Sequence, residues 1–78
     1  MTHKKLYDAL IALNNKALND RPEEWRYGQA VFNYALDVFP EETERLRGDK
    51  FDCFYNDDNI ISFLSTIYYR TRIDANTK

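Results

Sequence analysis

PEEWRYGQAVFNYALDVF, residues 22–39, decides the fold. Pro22 followed by Glu23 and Glu24 is a helix-start signal: proline suits the first turn, and carboxylates suit the positive end of the helix dipole. On a helical wheel Trp25, Phe32, Leu36 and Phe39 flank one side, while Tyr27, Val31, Tyr34 and Val38 flank the other. Gly28 and Ala35 lie between them, so the apolar arc covers more than half the circumference. A helix of that kind touches neighbours on several sides and forms the centre of a helical domain. What remains is a narrow stripe: Arg26, Gln29, Ala30, Asn33 and Asp37.

The segments on either side supply the neighbours. From Lys4 to Leu18, the residues Leu6, Leu10, Leu13 and Ala17 recur at helical spacing, and Thr2 is placed to cap the first turn. A second, thinner stripe carries Tyr7, Ile11 and Leu18. Pro40-Glu41-Glu42 repeats the start signal and predicts a short third helix to Arg47, with Gly48 as its stop. Only Leu46 is strongly apolar there, which makes that helix peripheral. Residues 49–55 have no helical period; Phe51, Cys53 and Tyr55 alternate with Asp52 and Phe54, and the segment reads as an aromatic-anchored loop with Phe51, Phe54 or both against the core. Asn56-Asp57-Asp58-Asn59 is rich in capping residues. A fourth helix follows to about Arg72, with Ile60, Phe63, Leu64 and Ile67 facing the core. The predicted fold is all-α: a compact bundle of three main helices plus one short helix, with an aromatic-anchored loop before the last. Residues 1–78 make one domain, and residues 74–78 are expected to be mobile.

Composition excludes several functions. With 78 residues there is room for one core and little room for a cleft. A net charge of −2 argues against a generic nucleic-acid binder, which carries a basic excess. One cysteine, Cys53, permits no internal disulfide and suits a reducing cytoplasm. No apolar run approaches the roughly 18 residues of a membrane span, and Asp8, Asn14 and Asn15 interrupt any signal-peptide core. One His and one Cys are too few ligands for zinc. The stretch Asp49, Asp52, Asp57, Asp58 lacks the spacing, glycine and terminal glutamate of an EF-hand loop. No nucleophile–base pair and no glycine-rich phosphate loop is present, so no catalytic, metal or cofactor site is expected.

The distinctive feature is the polar stripe of the second helix, where Arg26, Gln29, Asn33 and Asp37 follow spacings of three, four and four. It reads as a contact surface, as a clamp for the 49–55 loop through the Gln29 and Asn33 amides, or as a solvated face. Tyr69, on the polar side of the fourth helix, is a further contact candidate, as is the Tyr7, Ile11, Leu18 stripe.

At this stripe a resemblance enters. Arg26-Tyr27-Gly28-Gln29, Phe32-Asn33, Pro40, Arg47-Gly48 and Asp52-Cys53-Phe54-Tyr55-Asn56-Asp57 resemble a pattern shared by small bacterial and phage proteins of no known activity. It covers residues 26–57. The resemblance implies a phage or prophage accessory protein that binds one host component. Residues and resemblance together predict a cytoplasmic, non-enzymatic, protein-binding module, a regulator or inhibitor with another protein or itself as partner. The alternative is a nucleic-acid-binding helical domain that uses the Arg26, Gln29 and Asn33 face.

Overall fold

A computed structural model of the chain describes residues 2–76, with side chains as far as Arg72. Four α-helices follow in order: α1 His3–Asn19, α2 Tyr27–Val38, α3 Pro40–Leu46 and α4 Ile60–Asn76, the last preceded by a 3₁₀ turn at Asp57–Asn59. No strand occurs among the described residues. This is the expected bundle of three main helices and one short one. The expected mobile end over residues 74–78 lies outside the fully described residues.

Thr2 caps α1 as its position predicts, its hydroxyl accepting from the Lys5 amide at 3.2 Å. Leu6, Leu10, Leu13 and Ala17 form the buried face of that helix. Gly48 ends the α3 segment in the left-handed region at φ 76°, which only glycine enters at little cost. Leu46 is fully buried and is the apolar anchor of α3, with Thr43 and Glu42 buried beside it. Phe32 of α2 and Phe63 of α4 meet at the centre with ring centroids 5.6 Å apart.

The largest departure from expectation is the start of α2. The Pro22 signal is spent on a single turn, closed by the Trp25 amide donating to the Pro22 carbonyl at 3.0 Å. The helix proper begins at Tyr27. Arg21 holds this joint. Its guanidinium donates to the Ala17 carbonyl at 2.9 Å and to the Trp25 carbonyl at 3.1 Å, tying the end of α1 to the turn. Trp25 is therefore outside the helix and half-buried, not buried within it, and its ring folds back to within 5.9 Å of Tyr34. Ala30, one turn before Tyr34 on the same side, is fully buried instead of belonging to the polar stripe. Val38, expected on the apolar arc, is exposed at the last turn of α2.

Candidate functional site

The N-terminus of α2 and the 49–59 loop form one joint. Arg26 is the cap residue of α2, and its side chain has no acceptor to offer the first-turn amides. Asp57 supplies one from 29 positions away: its Oδ1 accepts from the Gly28 amide at 2.8 Å. The carboxylate also sits at the positive end of the helix dipole. Gly28 receives the loop backbone directly. A Cβ there would overlap the Cys53 carbonyl oxygen and lie 2.7 Å from Asp57 Oδ1. The Cys53 thiol donates to the Gly28 carbonyl at 3.3 Å, and the Arg26 guanidinium donates to the Phe54 carbonyl at 3.0 Å.

The loop also satisfies itself. Asp52 accepts from the Gly48 amide at 2.7 Å and from the Phe54 amide at 2.8 Å. The Asn59 amide donates to the Lys50 and Asp52 carbonyls at 3.2 and 3.0 Å. Phe54 meets Phe32 edge-on at 5.7 Å, and the Arg47 guanidinium lies over the Phe32 ring, 5.1 Å from its centre. Of the residues that carry the sequence resemblance, Arg26, Gly28, Asp52, Cys53, Phe54 and Asp57 converge on this joint, whereas Pro40 lies at the other end of α2. Their chemistry here is backbone satisfaction and packing.

Gln29 and Asn33 do not clamp the loop. Gln29 Oε1 accepts from the Arg26 amide at 3.4 Å, a local cap contact, and Asn33 is half-buried with no hydrogen bond to the loop among the described residues. The loop is held by aspartate, asparagine, Arg26 and the bare backbone of Gly28, whose long-range pairing spacing along the chain does not reveal. The Gln29→Ala, Asn33→Ala double variant is accordingly expected to lose about 1 kcal/mol or less. A loss above about 2 kcal/mol in urea denaturation would restore the clamp.

Cys53 is fully buried. Burial, then the neighbouring charges of Asp52 and Asp57, push its thiol up to about 12. The thiol is thus inert as a nucleophile near neutrality, and alkylation of the native protein at pH 8 is expected to be far slower than of the unfolded chain. Because folding raises its pKa, the Cys53 thiol contributes stability that is intact below the unfolded value near 9 and is lost as pH rises toward 12. Cys53→Ala should remove that part of the alkaline slope, measured as stability against pH; an identical slope in both proteins contradicts it.

The stripe predicted on α2 is not one free surface. Arg26 is engaged with the loop and stacks over Tyr55 at 5.6 Å. Asp37, exposed at the other end, borders a shallow groove against α1 with Lys16, Tyr34 and Val38. Tyr69 stands elsewhere. It lines an open groove of about 320 Å³ between α1 and α4, with Tyr7, Leu10, Ile11, Leu64 and Tyr68. Tyr7, Ile11, Leu18 and Tyr69 are exposed as the sequence predicts, and Ile61 is 80% exposed. Ile61 escapes a reading that follows only the core stripe of α4; its signal is the spacing of four and seven to Ser65 and Tyr68, both on the groove. Most of the large exposed apolar side chains therefore share the α1/α4 face. No group of three or more potential metal ligands occurs among the described residues, and no described helix is long and apolar enough to cross a membrane.

Compared with protein-family models, with curated proteins and with solved structures, the chain matches none of them.

Proposed function

We propose that this chain is a small protein-binding module of the cytoplasm, with the α1/α4 face as its docking surface and with no catalytic role of its own. The observation that supports it is the gathering of Tyr7, Ile11, Leu18, Ile61 and Tyr69, all exposed, on two adjacent helices. Contiguous apolar surface flanked by charge is the usual mark of a protein contact, and aromatic residues are enriched there. The resemblance of residues 26–57 supports the further reading of a phage or prophage accessory regulator or inhibitor of a host protein. Nucleic-acid binding through Arg26, Gln29 and Asn33 is the weaker reading, because the Arg26 guanidinium and Gln29 carbonyl oxygen already have partners within the chain.

The test is site-specific photo-crosslinking in cells that produce the full chain, with a photo-reactive phenylalanine analogue at position 69 or position 55. Tyr55 is 81% exposed but lies away from the groove, which makes it the control. Protein adducts at position 69 and none at position 55 are expected. Absence of protein adducts at 69, or nucleic-acid adducts at 55, overturns the reading.

A further inference from the structure

The direction of the helices gives the α1/α4 face two unlike ends. Tyr27 at the start of α2 bonds Asn14 in the last turns of α1, and Tyr34, Asp37 and Val38 border Ala9, Ala12 and Leu13, so α1 and α2 run antiparallel. Gly28 meets Asp57 and Phe32 meets Phe63, so α2 and α4 run parallel. Hence α1 and α4 are antiparallel, and the start of α1 lies beside the end of α4.

One end of the face is basic and aromatic. It carries His3 and Lys4 on α1 and Arg72 on α4, with Tyr7, Tyr68 and Tyr69 just inside. Lys4 precedes Tyr7 by three residues and Arg72 follows Tyr69 by three, which sets both cations in line with the groove. Asp8 is the carboxylate on this part of α1. Glu41 and Glu42 lie at the same end but on the far side of α4, across Thr71.

The opposite end is acidic and aliphatic. It carries Asp20 after α1, Glu23 and Glu24 beyond it, and Asp57 and Asp58 at the start of α4. Leu18 and Ile61 are the exposed apolar side chains there, and Asp58 precedes Ile61 by three residues. The nearby cations are turned to other work: Arg21 bonds the end of α1, Lys16 lies over Tyr34 on the α2 side, Arg26 bonds the Phe54 carbonyl, and Lys50 lies over Phe51.

We propose that this face is covered by a second copy of the same chain, docked antiparallel about a two-fold axis perpendicular to α1 and α4. The inference rests on the reading of the face as a protein-docking surface and names its occupant. A two-fold contact must pair each patch with its symmetry mate. Here that sets Lys4 and Arg72 of each copy against Asp20 and Asp58 of the other, twice over, and lays the tyrosine half of each groove on the Leu18 and Ile61 half of its mate. The four helices then share one apolar core in the manner of a four-helix bundle. A docking with the helices parallel would set like charges together at both ends, which association does not tolerate.

The experiment is sedimentation equilibrium of the full chain from about 1 to 500 µM, the range in which modest interfaces dissociate. The expected result is a mass rising from the 9.3 kDa of one chain to twice that, with weaker association at high salt. Two variants test the orientation. Lys4→Glu with Arg72→Glu reverses the two facing cations of one end, and Asp20→Lys with Asp58→Lys reverses the two facing anions of the other; none of these side chains is in the core. Each variant alone should associate at least about tenfold more weakly, and an equimolar mixture should recover the parental affinity as a heterodimer. Circular dichroism of each variant confirms that it is folded. A wild-type protein that stays monomeric to the highest concentration overturns the proposal, as does a mixture no tighter than its components. If adducts still form at position 69 with a mass other than twice the chain, the docking face stands and only its occupant is wrong; if neither dimer nor adduct forms, both readings fail.

Discussion

Gly28→Ala is expected to destabilise the protein by about 1–3 kcal/mol, and Gly28→Val by more, through overpacking. Helix propensity alone predicts the reverse, since alanine is favoured over glycine by roughly 1 kcal/mol inside a helix. Packing decides the sign here. The added methyl would overlap the Cys53 carbonyl oxygen and press on Asp57 Oδ1. The first is backbone in a loop fixed by Arg26, Asp52 and Asn59, so it cannot rotate away as a flexible side chain would. Moving it also lengthens the 2.8 Å bond that caps α2. Urea denaturation of the two variants beside the parent checks this, and an alanine variant as stable as the parent would mean that the loop yields freely.

Phe32→Ala should cost still more, about 3–5 kcal/mol, the usual penalty for truncating a buried aromatic residue. Phe32 is essentially inaccessible, with Phe63 tilted against it and Phe54 edge-on. Its removal leaves a void where α2, α4 and the loop all converge. A domain of this size has about 5 kcal/mol to lose, so the variant is expected to be largely unfolded at 37 °C. Phe32→Leu, which keeps most of the volume, should lose only about 1–2 kcal/mol. A cooperative melt of Phe32→Ala within a few degrees of the parent would show that the three elements are held by something other than this ring.

The helices were legible because their apolar residues repeat with helical spacing and their ends carry local signals: Thr2, Pro40 and Gly48 act where the sequence puts them. The start of α2 misled because Pro22-Glu23-Glu24 is as good a signal for an isolated turn as for a helix. What separates the two is Arg21, whose bonds to α1 and to the Trp25 carbonyl exist only in the folded chain. The close approach at Gly28 was legible, since a glycine on an apolar arc wants a reason. Its partners were not, because Asp57 and Cys53 reach it from 29 and 25 positions away and nothing local marks them. The exposed stripe of α1 and Tyr69 could be read individually from their positions off the core faces. That they share one groove follows only from the antiparallel packing of α1 and α4.

The remote capping of α2 also bears on the order in which the molecule assembles. During synthesis, α1 and α2 leave the ribosome together and can pair early, but the first turn of α2 keeps an unsatisfied amide at Gly28 until residue 57 has emerged. Docking of the loop is therefore a late event, completed after the helices have met. In kinetic terms Gly28→Ala should chiefly speed unfolding and leave the folding rate nearly unchanged, whereas Phe32→Ala should slow folding as well. Stopped-flow chevrons separate the two, and a Gly28→Ala variant that folds markedly more slowly would place the loop in the nucleus. On this order the last half of the chain works as a latch, and the newly made protein passes through a stage in which α2 is present but its N-terminal turn is open.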